Sequence, residues 1–246
     1  MTIPVQEKKN RYSAQIVIAA LNEAPGIGPT IAEMRETLDN IPVLVVDGKS
    51  SDRTVEIAKS LGAEVIYQVY TGKGDALAKA LEYADLNVDY IILTDADYTY
   101  PAKYVPGMIR ILEYNSLVGM VCGNRLTSNV DKEALKSIFH AGNKLLAFVY
   151  NILNEVPLQD PLTGLRVIRA EILKGWLPKS KSFDIEVELN HLVERRGFTI
   201  KEIPIDYRAR LGTKKLKVSH GVAILKRILW KHVNADIHYE NVGDAD

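Results

Sequence analysis

The chain has little cysteine and no long apolar run, and both absences limit what it can be. Its 246 residues include one cysteine, Cys122, so no disulfide can form within the chain, and its apolar neighbours indicate a small core residue. Because no stretch of about 18 apolar residues is present, no transmembrane helix is expected. The segment from Met1 to Arg11 is polar and lacks the apolar core of a signal peptide. We therefore expect a cytoplasmic protein whose membrane contact, on the cytoplasmic face, is peripheral.

An overall excess of charge is also absent. Basic and acidic residues number 31 each, so the net charge is zero and no overall signature of nucleic-acid binding exists. The distribution is uneven, because no acidic residue occurs between Asp206 and Asp236. That segment contains Arg208, Arg210, Lys214, Lys215, Lys217, Lys226, Arg227 and Lys231. Such a segment is typical of contact with phosphate, an anionic membrane or nucleic acid, and a basic face in water explains it as well.

The order of apolar segments indicates one α/β domain. Internal repeats, low-complexity segments and linkers are missing, so a single domain is predicted over residues 1–246. Short apolar strands alternate with helical segments in the first half, which predicts a mostly parallel sheet with helices on both faces. Residues 22–29 are predicted as a turn before a helix that starts at Thr30. The strands are predicted at residues 15–20, 41–46, 64–68, 90–94, 118–123, 165–169 and 199–207.

Two carboxylates stand one residue apart at the end of the fourth strand, as Asp95-Ala96-Asp97. In open α/β sheets, ligands collect outside the carboxyl ends of the strands. Mg²⁺ and Mn²⁺ prefer carboxylate and phosphate oxygens. The pair therefore predicts a site for Mg²⁺ or Mn²⁺ with a nucleotide diphosphate. The alternative is a turn in which the two Asp residues cap the following helix.

Polar residues at other strand ends are expected to meet at the same edge. Asn22 and Glu23 follow the first strand, and Asp47 follows the second. A carboxylate there can accept hydrogen bonds from a base or a ribose. The segment Gly72-Lys73-Gly74 opens a helix, where glycine lets the backbone approach a ligand closely and lysine supplies positive charge. Each signal is weak alone, and their order along the chain is what points to a nucleotide site.

These segments together resemble the family 2 glycosyltransferases, which have the GT-A fold. Residues 18–23, Ile-Ala-Ala-Leu-Asn-Glu, are similar to the first-strand motif of that family. Residues 45–54 are similar to its motif Val-Val-Asp-Asp-Gly-Ser-x-Asp-x-Thr, except that Gly48 replaces the second Asp. Residues 95–97 match its DXD metal motif. The resemblance extends over nearly the whole chain, and it implies a Rossmann-like sheet and an inverting, metal-dependent transfer from a nucleotide sugar.

The resemblance also implies that three segments of the chain have different functions. Residues 1–97 are expected to bind the nucleotide sugar, 98–217 to bind the acceptor, and 218–246 to form an amphipathic helix and tail. Asp95 and Asp97 are expected to hold the metal, and Asp97 to act in catalysis. The donor-binding residues that it implies are Ala19, Leu21, Glu23, Val46, Asp47, Lys73, Asp95, Ala96 and Asp97.

Within the family, the second half resembles the dolichyl-phosphate sugar synthases. The similar segments are residues 123–125, 160–166, 183–188 and 203–216. The resemblance implies transfer of one hexose to dolichyl or another polyprenyl phosphate, with GDP-mannose favoured as donor over UDP-glucose. Arg125 and Asp160 are expected in catalysis. The residues expected to bind the acceptor phosphate are Arg125, Arg208, Arg210, Lys214 and Lys215.

Several alternatives stay open on the sequence alone. Asp160 is either a base, a group that orients the acceptor or an arginine, or a turn residue before Pro161. Arg166 is expected to pair with Asp160 or Glu186. A glycosyltransferase acting on a sugar hydroxyl would need a carboxylate base, and a silent nucleotide-sugar-binding scaffold is disfavoured because the site residues are intact. The oligomeric state is not predicted.

The spacing of apolar residues over Val218–Val233 predicts a last helix with an amphipathic surface. The apolar residues Val218, Val222, Leu225, Leu229 and Val233 recur on one stripe, and the basic residues Lys226, Arg227 and Lys231 lie off it. Such a helix either lies on an anionic membrane or packs on the sheet with its lysines in water. A polyprenyl acceptor, whose tail stays in the bilayer, favours the membrane.

Overall fold

Seven strands form one mixed sheet in the computed structural model, which describes residues 12–126, 138–154, 157–213, 215 and 218–233. The strands are Ala14–Ala20 (β1), Val43–Asp47 (β2), Glu64–Tyr67 (β3), Tyr90–Asp95 (β4), Val118–Asn124 (β5), Arg166–Arg169 (β6) and Thr199–Pro204 (β7). Their order is β3-β2-β1-β4-β6-β5-β7, and β6 runs antiparallel to both neighbours while the other pairings are parallel. The prediction of a mostly parallel sheet is confirmed.

Helices cover both faces of this sheet. They are Ala24–Thr37 (α1), Thr54–Ser60 (α2), Lys73–Tyr83 (α3), Val105–Tyr114 (α4), Ile138–Leu153 (α5), Ala170–Leu173 (α6), Ile185–Arg195 (α7) and Val218–Val233 (α8). Successive side chains of a strand point to opposite faces. Accordingly, Ile16 and Ile18 of β1 pack with α1 and α4, whereas Val17 packs with α3 and α7. In this described part of the chain, none of the helices has the length and apolar character needed to cross a bilayer.

The prediction of a turn over residues 22–29 is wrong, because α1 begins at Ala24. Pro25 lies in the first turn, where a missing backbone N–H has no helical partner to lose. Gly26 allows the helix to approach the loop after β4, since a Cβ at this position would lie 2.5 Å from the carbonyl oxygen of Ala96. The start of α1 is therefore packed directly against the Asp95–Asp97 segment.

Arg166 of β6 is fully buried, and its partners differ from the expected ones. Its guanidinium donates to the carbonyl oxygens of Thr163 (2.9 Å) and Pro161 (2.8 Å) and to Oδ1 of Asn190 (2.5 Å). The prediction that Arg166 pairs with Asp160 or Glu186 is therefore wrong, because nearer backbone carbonyls already satisfy its donors. These bonds hold the 160–164 loop against α7.

We predict that Arg166→Met destabilises the fold by about 3 kcal/mol, because a buried side-chain oxygen and two carbonyls lose a charged donor. Urea unfolding followed by circular dichroism measures the difference. The control is Arg53→Met, since the Arg53 side chain is exposed and its partner Glu56 is exposed too. Equal effects of the two substitutions would contradict a structural role for Arg166.

Candidate functional site

The polar residues that follow β1, β2 and β4 meet at one edge of the sheet. These three strands are parallel neighbours, and their register places Ala19 opposite Asp95 and Ala20 opposite Asp47. Their carboxyl ends therefore lie side by side. Glu23, which follows β1, contacts Arg210, and so does Asp97. The structure thus brings together the strand-end carboxylates as the sequence predicts.

Lys73 links the strand-end carboxylates to α7. Its ammonium lies 2.6 Å from Oδ1 of Asp95 and 2.8 Å from Oε1 of Glu186. Burial disfavours the charged ammonium, but the two carboxylates outweigh burial and raise the pKa of Lys73. Burial likewise acts to raise the pKa of Asp95, and the Lys73 charge outweighs it, so that pKa is lowered. Lys73 and Asp95 therefore stay ionised at neutral pH.

The two glycines beside Lys73 have a packing role. Gly72 has a φ of 104°, and a Cβ there would lie 2.1 Å from the carbonyl oxygen of Lys181. At Gly74 a Cβ would lie 2.2 Å from the carbonyl oxygen of Ser180. The close approach expected of these glycines is thus made to the segment before α7. It brings Lys73 within reach of Glu186.

Asp97 is held by the segment that follows β7. Its Oδ2 lies 2.6 Å from Arg210, and its Oδ1 accepts a hydrogen bond of 2.6 Å from the hydroxyl of Thr99. Arg210 also reaches Oε1 of Glu23 at 3.2 Å, and Lys215 lies 3.4 Å from the same atom. Burial, together with the Asp95 charge, raises the pKa of Asp97, and burial also raises the pKa of Glu23. Added positive charge is therefore favourable here.

One further residue expected to bind acceptor phosphate, Arg208, stands apart from this cluster. Arg208 forms a two-pronged ion pair with Glu33 of α1, at 2.6 and 2.7 Å, and lies 4.3 Å from the centre of the Tyr98 ring. Its guanidinium is turned to α1 and does not join the Asp97 cluster. Lys214 lies outside the described residues.

Arg125 and Asp160 form a separate, fully bonded pair at the end of β5. Oδ2 of Asp160 accepts from the backbone N–H (3.0 Å) and Nε (2.7 Å) of Arg125, and Oδ1 accepts from Nη2 (2.7 Å). Glu202 of β7 accepts the backbone N–H groups of Gln159 and Asp160, both at 2.7 Å. Burial disfavours the Arg125 charge, but Asp160 outweighs it and raises the pKa of Arg125. Asp160 therefore orients an arginine, one of the roles left open by the sequence.

Asp47 does not present a free carboxylate. It is buried, and its two oxygens accept hydrogen bonds from the backbone N–H (2.7 Å) and hydroxyl (2.5 Å) of Ser50. The Ser50 hydroxyl oxygen in turn accepts the backbone N–H of Asn22 at 2.8 Å. Asp47 therefore fixes the loops after β1 and β2 relative to each other. Leu21, which follows β1 at this edge, has an exposed apolar side chain.

A half-open cavity with about 450 Å³ of empty space lies between the sheet and helices α3 and α7. Its walls are mostly apolar, and include Ala19 and Val46. Lys73, Thr94 and Glu186 are polar residues of the lining. Oγ1 of Thr94 and Oε2 of Glu186 are buried and have no hydrogen-bond partner within the described residues. The segment containing Glu186 carries part of the family resemblance, but no role for that residue follows from the sequence.

The chemistry of the Asp95–Asp97 pair fits a divalent cation. Mg²⁺ is commonly held by one or two carboxylates together with substrate phosphates. No group of three or more metal-binding side chains is assembled within residues 12–126 and the other described ranges. Gly164 leaves room beside Asp95, since a Cβ there would lie 2.5 Å from Oδ2 of Asp95. Asp95 and Asp97 are the residues that would hold the ion.

The sheet and its carboxylate edge define a glycosyltransferase with the GT-A fold. Glucosyl-3-phosphoglycerate synthase from Mycobacterium tuberculosis, solved with Mn²⁺, UDP-glucose and phosphoglyceric acid, shares this fold with a TM-score of 0.70 and 20% sequence identity. That likeness covers 90% of this chain and 80% of the solved chain. Residues 15–176 match the model of glycosyl transferase family 2. The chain belongs to that family.

Two curated relatives come from Haloferax volcanii. A dolichyl-phosphate hexose transferase is 34% identical over 216 residues, which are 87% of this chain and 91% of the relative. The low-salt glycan biosynthesis hexosyltransferase Agl6 is 29% identical over 206 residues, which are 82% of this chain and 49% of that protein. The first relative therefore matches along almost its full length, and the second along about half.

We predict that Arg210→Gln lowers the Kd for Mn²⁺ several-fold, because the guanidinium competes with a cation for Oδ2 of Asp97. Electron paramagnetic resonance of free Mn²⁺, without nucleotide, measures the Kd. Arg208→Gln is the matched control, since that arginine pairs with Glu33, and it should leave the Kd unchanged. Asp97→Asn should raise the Kd. Equal Kd values for wild type and Arg210→Gln would show that Arg210 does not compete with the ion.

Proposed function

We propose that this glycosyltransferase transfers one hexose from a nucleotide sugar to dolichyl phosphate or another polyprenyl phosphate, with inversion at the anomeric carbon. The relative with 34% identity is named for hexose transfer to dolichyl phosphate. We favour GDP-mannose over UDP-glucose as donor, on the resemblance of the second half to dolichyl-phosphate sugar synthases. The acceptor tail stays in a bilayer, so the proposal includes peripheral binding to the cytoplasmic face of a membrane.

The observation that carries this proposal is the pairing of Asp160 with Arg125. Both oxygens of Asp160 are occupied by the arginine, so this carboxylate is not free to take a proton from a hydroxyl acceptor. A phosphate monoester carries between one and two negative charges at neutral pH and needs no base to become a nucleophile. It needs a positively charged group that is held in place. Arg125 is such a group, because the Asp160 carboxylate fixes its guanidinium.

In the proposed reaction, an oxygen of the acceptor phosphate attacks the anomeric carbon while the bond to the donor diphosphate breaks. The diphosphate leaves with the electron pair of that bond. Lys73 and Arg210 supply positive charge beside the two strand-end carboxylates, where the diphosphate would lie. A Mg²⁺ or Mn²⁺ ion bound there would stabilise the negative charge of the leaving group.

The cavity between the sheet and α7 is the proposed place of the transferred sugar. Its apolar walls suit the carbon face of a hexose, and Thr94 and Glu186 offer buried oxygens without partners to its hydroxyl groups. Lys73 lines this cavity and pairs with both Glu186 and Asp95. The sugar would therefore lie on the Glu186 side of Lys73, and the diphosphate on its Asp95 side.

A second candidate function is transfer to a sugar hydroxyl. It is favoured by one observation, because Oε2 of Glu186 has no hydrogen-bond partner among the described residues and a base needs a free oxygen. Against it stands the ion pair of Glu186 with Lys73, whose ammonium occupies Oε1 of the same carboxylate at 2.8 Å.

We predict metal-dependent transfer of label from GDP-[³H]mannose to a short polyprenyl phosphate, and loss of that transfer in Asp97→Ala. The substitution removes a carboxylate that would hold the ion beside the diphosphate. UDP-[³H]glucose is tested in parallel, and extraction of label into an organic phase measures the product. A fully active Asp97→Ala would contradict the metal assignment, and label transferred only to free sugars would favour the second function.

Glu186→Gln separates the two functions by its kinetics. If Glu186 binds donor hydroxyls, we predict a higher KM for the nucleotide sugar and an unchanged pH profile of kcat. If it is the base, kcat falls about 10²- to 10⁴-fold and the acidic limb of the pH profile disappears. Glu188→Gln is not a suitable control, because Glu188 accepts backbone N–H groups of Lys179 and Ser180. Glu82→Gln, at an exposed residue of α3, serves instead.

A further inference from the structure

The described part of the apolar stripe of α8 faces away from the core. The side chains of Val222, Leu225 and Leu229 are 58%, 37% and 44% exposed. Ile224 and Ile228 of the same helix pack into the core instead. In its described middle part the helix is therefore apolar on two sides, and these three residues of the predicted stripe are uncovered.

The neighbouring helix α5 repeats this arrangement. It packs against α8 and contributes Ala147 and Tyr150 to the core. Its outer side chains Leu145, Phe148 and Ile152 are 63%, 62% and 65% exposed. They recur at intervals of three and four residues, as one stripe of a helix requires. Six large apolar side chains on two packed helices thus face outward, and we call this surface the α5–α8 face.

The charged residues that α5 and α8 themselves contribute have one sign. Neither residues 138–154 nor residues 207–235 contain an acidic residue. Lys144 of α5 and Lys226 of α8 are both exposed. Arg227, by contrast, turns inward and pairs with Asp184 at 2.9 Å, which fixes α8 on the start of α7. The exposed cations beside the apolar stripes are therefore free of nearby carboxylates on their own helices.

Both helices also lie close in sequence to the candidate acceptor residues. The excursion that contains α5 leaves the sheet after Arg125 and returns at Asp160, and these two residues are bonded to each other. Helix α8 begins at Val218, three positions after Lys215, which reaches the carbonyl oxygen of Asn22 at 3.1 Å. Each helix of the α5–α8 face is thus close in sequence to a residue that is held at the site.

We propose that the α5–α8 face docks on an anionic lipid bilayer. The proposal deepens the proposed function, because it names the surface that brings the site to an acceptor anchored in lipid. Apolar side chains flanked by lysines, with no carboxylate among them, match the interface of a bilayer that contains anionic headgroups. A second copy of the chain fits this face less well, since a two-fold contact would place lysines against lysines.

Vesicle sedimentation without donor or acceptor tests the face directly. We expect wild type to bind phosphatidylcholine vesicles containing 30% phosphatidylglycerol, and to bind pure phosphatidylcholine about tenfold less. Phe148→Gln with Leu225→Gln should reduce binding to the mixed vesicles at least about tenfold. Lys144→Gln with Lys226→Gln should reduce binding to the mixed vesicles only. Circular dichroism checks that each variant is folded.

The matched control is Tyr114→Gln with Leu117→Gln, because both residues are also exposed, at 86% and 69%, but lie at the end of α4 and in the turn that follows it. The control should bind vesicles as wild type does. Equal losses in the control, or no binding by wild type, would overturn the proposal. A wild-type dimer that Phe148→Gln with Leu225→Gln dissociates, without vesicle binding, would assign the face to a second copy. Because the assay contains no substrates, either result leaves the transfer assay to judge the proposed function.

Discussion

The central constraint in this protein is the crowding of carboxylates at one edge of the sheet. Asp95, Asp97, Glu23 and Glu186 approach one another because β1 and β4 end where α7 begins. Like charges at short range repel, and burial increases the cost. The fold balances them with a lysine at the start of α3 and an arginine from the segment after β7. Residues far apart in the sequence are thereby held together by one set of ion pairs.

This balance has a chemical consequence for ligands. The four carboxylates outnumber the cations Lys73, Arg210 and Lys215 that contact them, so an incoming cation, and an anionic diphosphate with it, would be accommodated by exchange of partners within the existing cluster. Arg125 is not among these partners, because it pairs with Asp160, whose backbone N–H is held by Glu202. The acceptor phosphate and the donor diphosphate would thus meet between the carboxylate cluster and the Arg125–Asp160 pair, which have no carboxylate in common.

Much of the fold could be predicted from sequence patterns, but the ion pairs could not. Strands buried on both faces give continuous apolar runs, so the parallel sheet was predictable. The start of helix α1 was missed because Pro25, Gly26 and Pro29 are usual turn residues, and the space that Gly26 leaves for the loop after β4 is visible only in three dimensions. The ion pair of Arg208 with Glu33 was not predicted, because Glu33 lies 175 positions away and no local pattern joins the two. The strand-end carboxylates were found because parallel strands end together.

The Arg125–Asp160 pair has a consequence for how such enzymes diversify. It fastens the chain just after β5 to the loop before β6, on either side of the segment that contains α5. The exposed positions of α5 can change without shifting the register of either strand, whereas Tyr150 of α5 lies in the core. Relatives could therefore keep the same nucleotide-sugar half while the exposed part of this segment varies. Variation among members of the family should accumulate there first, as an exchangeable module on a constant frame.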